Sequence, residues 1–306
     1  MESCKELCGV IPVNKPKDWT SFDVVAKLRG IVGVKRLGHS GTLDPMATGV
    51  LAVFVGKATK ACDMVNGDGK CYVASFRLGL STDTQDITGE VLERSDKAVT
   101  RQELEEAAME FQGDIMQIPP MFSAVKVGGK RLYELAREGK TIERAARKRH
   151  IDFINITEYD ENTREGKMYV SVSSGTYIRT LIHDIGVRLG AFGTMTALER
   201  VKAGGFVIGQ CYTMKELQIM ANEGRIEEAV KPLDKEFMSL EKIKLSERNT
   251  PLYKNGVKLR LSQVGLNDRQ SAHENEYRVY SCDGEFISVA KADGENDEFV
   301  SVKNFY

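Results

Sequence analysis

The most informative part of the sequence is Gly38-His39-Ser40-Gly41-Thr42-Leu43-Asp44-Pro45-Met46-Ala47-Thr48-Gly49. Three glycines and a proline in so short a span predict an ordered loop around the single carboxylate of Asp44. The apolar run from residue 50 to residue 55 predicts a buried strand directly after the loop. A carboxylate held in front of a rigid strand suits nucleophilic or acid–base chemistry, although spacing alone fits a turn aspartate that caps its own backbone somewhat better.

The segments around this loop predict a mixture of strands and capped helices. Alternation along residues 70–78 predicts a strand that places Tyr72, Ala74 and Phe76 on one face. Serine and threonine caps and capping boxes mark the helix starts. The other expected elements are strands over residues 11–15, 151–156 and 168–173, a helix capped by Thr20 or Ser21 and ended by Gly33, a helix from Thr100 to near Gly113, a helix over residues 178–189 and a helix after Thr213.

Length and composition indicate an ordinary globular protein. The chain has 306 residues, of which 42% are hydrophobic and 28% charged. This length predicts one large or two ordinary domains. The apolar runs are too short to cross a bilayer and residues 1–15 do not resemble a signal peptide, so we expect a cytoplasmic protein. The six cysteines lack paired ligand spacing, which predicts neither a disulfide framework nor a metal site.

Charge is unevenly distributed along a chain whose formal net charge is only −1. Residues 121–150 carry nine lysines and arginines against three glutamates, whereas residues 81–115 carry ten acids against three basic residues. A basic segment beside an acidic one is compatible with one surface that faces RNA and another that faces solvent. Charged helices that only keep a protein soluble give the same pattern.

The loop sequence around Asp44 resembles the catalytic motif of the TruB-type tRNA pseudouridine synthases. The resemblance continues, in the family's order, over about the first two-thirds of the chain. Its further blocks are Asn14-Lys15-Pro16, Gly56-Lys57-Ala58-Thr59-Lys60, Tyr72 with Arg77-Leu78-Gly79, Thr82-Asp83-Thr84-Gln85-Asp86, Gln117-Ile118-Pro119-Pro120-Met121-Phe122-Ser123-Ala124 and Ser174-Gly175-Thr176-Tyr177-Ile178-Arg179-Thr180.

The resemblance implies an α+β fold with a mixed, largely antiparallel central sheet and flanking helices. It places a catalytic domain over residues 1–239, with an insertion at about residues 117–150 that clamps the RNA. Short alternating strands at 277–280 and 286–289, separated by Asp-Gly turns, follow after residue 240. We therefore expect a small PUA-like β module over residues 240–306.

Three catalytic residues follow from the resemblance. Pseudouridine formation requires a flipped-out uridine, a carboxylate where sugar and base join, a cation beside it and a group that manages a proton. Asp44 matches the family's nucleophile, Arg179 the arginine that pairs with it, and Tyr72 the tyrosine that stacks on the base and lies near the proton transfer. Without the resemblance, Arg179 reads as a surface residue at a helix start and Tyr72 as part of the core.

Other positions match residues that line the family's pocket or touch RNA. His39 resembles the histidine that fills the space left by the flipped nucleotide, and Asp86 an acid that positions the uridine. A solvated histidine and a turn aspartate are the alternatives. The remaining expected substrate or RNA contacts are Tyr177, Leu198, Lys60, Lys130, Arg131 and Arg147.

The resemblance implies an enzyme that isomerises the T-loop uridine numbered 55 in tRNA, binding the T-arm stem-loop. We expect no metal, no organic cofactor and no obligatory protein partner, and a monomer. Neither GxGxxG nor a P-loop occurs in the sequence. One alternative is a non-catalytic RNA-binding protein or tRNA-folding chaperone on the same scaffold. Another is a guide-RNA-dependent synthase subunit, which the short C-terminal module and the absence of long basic tails disfavour.

Overall fold

A mixed β-sheet forms the centre of the molecule in the computed structural model, which describes residues 7–65, 69–123, 125–266 and 275–306. Within these ranges nine strands join in one sheet, whose main path runs β1-β3-β12-β4-β11-β10-β7, while β2 pairs with β3 and β13 with β12. These strands are β1 (Gly9–Lys15), β2 (Leu37–His39), β3 (Thr48–Val55), β4 (Lys70–Leu78), β7 (Gly113–Gln117), β10 (Arg147–Asp160), β11 (Glu165–Val172), β12 (Gly193–Ala203) and β13 (Phe206–Val207). The pair β3–β12 is parallel and the other pairs of this sheet are antiparallel.

Of the helices in the described residues, four pack against this sheet: α1 (Ser21–Val32), α2 (Arg101–Met109), α4 (Ile178–Arg188) and α5 (Met214–Asn222). The short helix α3 (Leu132–Arg137) lies in the basic segment of residues 121–150, and α6 (Asn249–Lys254) packs with the C-terminal strands. Thr20, Thr100 and Thr213 cap α1, α2 and α5 through capping boxes. The sequence predicts the boxes at Thr100 and Thr213, and for α1 it predicts a cap at Thr20 or Ser21. The prediction that α2 extends to near Gly113 is wrong, because Gly113 has φ +95° and begins β7. Within the described residues, no helix is long and apolar enough to span a membrane.

The apolar run of β3 is buried on both faces, as the sequence predicts. Leu51 and Val53 on one face pack with β1 against α1 and α5. Val50, Ala52 and Phe54 on the other face join a cluster that includes residues near the C-terminus. Successive side chains of a strand point to opposite faces, and here both faces pack against other parts of the protein. Residues 50–55 are therefore all apolar.

The third core cluster lies between the sheet and helices α2 and α4. Tyr72, Ala74 and Phe76 of β4 point into it, which confirms the predicted alternation. Leu181, Ile182 and Ile185 supply the buried face of α4. Packing of this helix against the sheet places its N-terminal end beside the Asp44 loop.

A second, four-stranded sheet follows residue 240. Its order is β14-β15-β16-β17, with β14–β15 parallel and the other two pairs antiparallel. Its strands are β14 (Glu241–Lys244), β15 (Glu276–Tyr280), β16 (Phe286–Asp293) and β17 (Glu298–Asn304). The short strands β5 (Leu80–Thr82) and β6 (Val91–Arg94) form one further hairpin, and β8 (Lys126–Val127) and β9 (Lys130–Arg131) form another. The α+β class with a largely antiparallel central sheet and a small C-terminal β module is confirmed.

Candidate active site

The loop that carries Asp44 connects β2 to β3 and is tied to the rest of the fold at three points. The Leu43 amide donates a hydrogen bond of 2.9 Å to the hydroxyl of Ser21 at the start of α1. The buried Lys15 ammonium donates to the carbonyls of Pro16, Trp19 and Pro45 at 2.8, 2.6 and 3.1 Å. Gly49 has φ +102°, and a Cβ there would come within 2.3 Å of the Arg200 carbonyl oxygen. The loop is therefore ordered by backbone contacts that leave the Asp44 side chain free for chemistry.

Arg179 connects the loop to α4. Its Nη2 lies 3.1 Å from Asp44 Oδ2 and donates to the Phe122 carbonyl at 2.7 Å, while its Nη1 lies 3.6 Å from Asp86 Oδ2. The arginine side chain is 6% exposed, against 41% for Asp44. A guanidinium in the first turn of a helix opposes the helix dipole, and these two carboxylates offset that cost.

Asp86 is the second carboxylate that faces Arg179. Its Oδ1 accepts hydrogen bonds from the Thr84 hydroxyl at 2.9 Å and from the amide and hydroxyl of Thr88 at 3.0 and 2.5 Å. The Asp86 side chain is 7% exposed. One Asp86 oxygen is held by threonines and the other lies 3.6 Å from Arg179, so Asp86 helps to orient the guanidinium.

Asp44 and Arg179 line a cavity of about 480 Å³. Tyr72, Tyr177 and Leu198 line the same cavity, so five of the residues named from the sequence meet here. Backbone hydrogen bonds to the side-chain amide of Gln117, at 2.8 and 3.1 Å, hold Tyr177 just before α4. A pocket of this size with a mixed polar and apolar wall can hold one flat, polar ring.

Tyr72 lines the cavity and is 7% exposed. Burial raises the pKa of its hydroxyl, and the nearby charge of the Arg200 guanidinium opposes that rise. Arg200 is itself 1% exposed and donates to the carbonyls of Val50 and Gly41 at 2.7 and 2.9 Å. Arg200 is the register partner of Tyr72 on the neighbouring strand β12, which places its charge beside this tyrosine.

His39 lies on β2, just before the loop, and outside the cavity wall. Its Nδ1 is buried without a hydrogen-bond partner among the described residues. Burial, and then the charge of Arg200, lower the pKa of the imidazole, so the ring is neutral at pH 7.

The predicted basic contacts lie away from the cavity. Lys60 donates to the Asn304 carbonyl at 2.9 Å, so its ammonium contacts the C-terminal strand β17. Lys130 and Arg131 are exposed on β9, where Lys130 lies 3.6 Å from Glu138. Arg147 is exposed at the start of β10 and pairs with Gln117 of β7. The structure thus separates a compact site from an exposed basic surface formed by the insertion.

Sequence reasoning did not name six polar residues as part of this site. Thr42, Lys70, Ser123, Ser174 and Thr176 line the cavity, and Arg200 lies next to Tyr72. Lys70 could have been found from the sequence, because residues two apart in a strand point to the same face and Tyr72 was already named. Arg200 gave no such signal, since its register opposite Tyr72 depends on the pairing of β12 with β4.

Comparison with known proteins identifies the family. Residues 29–178 match the model of the TruB family pseudouridylate synthase N-terminal domain, and residues 179–242 match that of the tRNA pseudouridylate synthase B C-terminal domain. The chain belongs to the TruB family of pseudouridine synthases. It is 39% identical to tRNA pseudouridine synthase B of Fusobacterium nucleatum subsp. nucleatum over 94% of this chain and 96% of the relative. Its identity to the Clostridium tetani protein of the same name is 41%, over 96% and 99% of the two chains.

Solved structures give the same fold. A chain in the crystal structure of a Cbf5–Nop10–Gar1 complex superposes with a TM-score of 0.76 at 26% identity, over 97% of this chain and 85% of that chain. A chain in an archaeal box H/ACA Nop10–Cbf5 complex gives a TM-score of 0.73 at 25% identity, over 97% and 86% of the two chains. The TruB relatives are much closer in sequence than these assemblies. The protein is a tRNA pseudouridine synthase, an isomerase that makes pseudouridine in tRNA.

Proposed function

We propose that this TruB-family enzyme isomerises the T-loop uridine at position 55 of tRNA, with Asp44 as the nucleophile that acts on a flipped-out base. The observation that carries the proposal is the 3.1 Å contact between Asp44 and the nearly buried Arg179 at the wall of the cavity. A neighbouring guanidinium fixes the orientation of a carboxylate and balances its charge, as attack at a sugar–base junction requires.

The isomerisation needs no external reagent. The bond between C1′ and N1 breaks, the uracil turns and C1′ bonds to C5. C5 then loses a proton and N1 gains one. Asp44 acts at C1′, on the ring, or as the base in an elimination, and each route places its carboxylate at the sugar–base junction. Tyr72 stacks on the base, and its hydroxyl, beside the charge of Arg200, takes part in moving the proton.

RNA binding in this proposal is divided between two parts of the chain. Residues 1–239 form the catalytic domain, whose insertion at about residues 117–150 closes over the T-arm with Lys130, Arg131 and Arg147. Residues 240–306 form the PUA-like module, and Lys60 lies beside its last strand. His39 fills the space that the flipped nucleotide leaves. We further propose that the enzyme acts as a monomer, with no obligatory protein partner, metal or organic cofactor.

Mapping pseudouridine in tRNA treated with the purified protein alone tests this proposal. We expect wild-type protein to modify position 55, and Asp44→Asn to abolish turnover while tRNA binding stays within a few fold, because shape and phosphate contacts are retained. Asp18→Asn is a matched control, since this exposed residue contacts the same loop through its backbone amide, 2.8 Å from the Pro45 carbonyl.

Near wild-type activity in Asp44→Asn would rule out the nucleophile, and a parallel loss of binding would identify Asp44 as a structural residue of the loop. Modification that requires an added guide RNA would favour the guide-dependent alternative.

A further inference from the structure

Lys70 is a buried cation in the cavity wall to which the mechanism above gives no role. It is the first residue of β4 and is 9% exposed. Its ammonium group has one hydrogen-bond acceptor within the described parts of the chain, the Ser174 hydroxyl at 3.3 Å. An ammonium carries three donors, so two of them have no acceptor in those parts.

A second cation lies next to Lys70. A Cβ placed on Gly41 would lie 2.9 Å from Lys70 Nζ and 3.3 Å from Arg200 Nη1, so both cations touch the same point of the Asp44 loop. Burial, and then the charge of Arg200, lower the pKa of Lys70 to about 8. Two neighbouring buried cations are costly unless an anion offsets their charge.

The nearby acids do not supply that anion. Asp44 in the cavity wall and Asp86 outside it both face Arg179, and neither lies within ion-pair distance of Lys70 among the described residues. Apart from Arg179, the other polar side chains of the cavity wall carry only uncharged hydroxyl groups: Thr42, Tyr72, Ser123, Ser174, Thr176 and Tyr177. The charge balance of the free enzyme is therefore incomplete at this wall of the cavity.

We propose that Lys70 binds a phosphodiester group next to the uridine that occupies the cavity. This inference rests on the proposed function, in which the flipped nucleotide enters beside Asp44. The nucleotide brings a phosphate on either side of its ribose, and an ammonium group is a suitable point charge for a phosphate oxygen. Ser174 then supplies a second donor to the same group. The contact anchors the ribose while the base detaches and turns.

The test combines a protein change with a matching RNA change. T-arm stem-loops are prepared with a neutral methylphosphonate in place of the phosphodiester either 5′ or 3′ of the target uridine. Single-turnover rates are measured against enzyme concentration for wild type and Lys70→Met. Lys167→Met is the control. This exposed lysine lies on the neighbouring strand β11, where it is the register partner of Ser75, so its side chain lies on the face of the sheet away from Lys70. Lys70→Gln serves as the second variant if Lys70→Met is unstable.

We expect Lys70→Met to lower the ratio of maximal rate to half-saturating enzyme concentration about tenfold or more on normal RNA. One of the two methylphosphonates should cause a similar loss in wild type and almost no further loss in Lys70→Met, while Lys167→Met behaves as wild type. The phosphate contact would be overturned if each methylphosphonate lowered this ratio as much in Lys70→Met as in wild type, or if Lys70→Met matched wild type on normal RNA. Either result would leave the role of Asp44 intact. An active Asp44→Asn on the same stem-loop would overturn both proposals.

Discussion

Tyr72 combines an aromatic face with a hydroxyl that contacts Arg200, and substitution separates the two. We expect Tyr72→Phe to retain tRNA binding and base capture but lose most turnover, because stacking survives while the hydroxyl is lost. Tyr72→Leu should be at least as slow and should also hold the base less well, since stacking on an aromatic ring contributes about 1–3 kcal/mol. Single-turnover rates and affinities on a T-arm stem-loop measure both effects.

The opposite pattern would assign Tyr72 a different role. Near wild-type turnover in Tyr72→Phe, with an inactive Tyr72→Leu, would make the residue a stacking platform only. If neither substitution changed turnover or tRNA affinity, Tyr72 would be only a residue of the hydrophobic core, a role that its place in the hydrophobic cluster also allows.

Residues of the site differ in how far the sequence could reveal them. The motif resemblance named Asp44, Tyr72 and Arg179, and folding brings all three to one cavity. Alternation along β4 could have added Lys70. Arg200 could not be found this way, because its contact with Tyr72 arises from strand register between segments more than a hundred residues apart.

At the scale of elements, α4 carries the arginine of the site and also a stability cost. Burial raises the pKa of Asp184 from 3.8 to about 6. Above pH 6 the carboxylate is charged in both folded and unfolded chains, and folding must desolvate it; below about pH 4 it is protonated in both, and the cost disappears. The folded state therefore loses stability through this group as pH rises from 4 to 6.

We expect Asp184→Asn to increase the free energy of unfolding by about 1–2 kcal/mol at pH 8, allowing for partial solvent screening, and to have no such effect at pH 4. Urea denaturation at the two pH values measures the difference. Asp96→Asn, at an exposed position, is the control and should show the same pH dependence as wild type. Equal stability of Asp184→Asn and wild type at pH 8 would contradict the desolvation argument.

The basic insertion is an element whose effect should depend on salt. We expect neutralising Lys130, Arg131 and Arg147 together to weaken tRNA binding and flatten its dependence on salt, since each lost phosphate contact removes up to about one unit of slope. Affinity measured over a series of salt concentrations gives the slope. The control neutralises Arg188 and Arg225, exposed arginines already paired with Glu110 and with Glu223 and Glu228. An unchanged slope in the first variant would show that the insertion's charge faces solvent.

At the scale of the whole molecule, local patterns predicted elements better than their arrangement. Capping boxes located the starts of α2 and α5, a threonine or serine cap located that of α1, and alternation located β4. The parallel pairing of β3 with β12, and the apolar cluster that joins the large sheet to the C-terminal strands, depend on contacts between distant segments that no local pattern encodes.

That shared cluster makes the two sheets dependent on each other. Phe305, after the last strand, lies with its ring centroid 6.1 Å from that of Phe237 and 5.3 Å from that of Phe286. The same cluster contains Phe54 of β3, in the centre of the large sheet. Removal of one ring from this cluster should therefore lower the stability of both sheets.

We expect Phe305→Ala to lower the free energy of unfolding by about 3–5 kcal/mol, as for other buried phenylalanines. The chain has a single tryptophan, Trp19, which packs against the cluster beneath α1 and reports on the large sheet. If the two sheets unfold as one cooperative unit, the Trp19 fluorescence transition in urea must shift by the full amount. Phe22→Ala, which removes a ring that is 64% exposed, is the control and should leave the transition nearly in place. A Trp19 transition that does not move in Phe305→Ala would mean that the C-terminal sheet unfolds independently, with the shared cluster contributing little to the large sheet's stability.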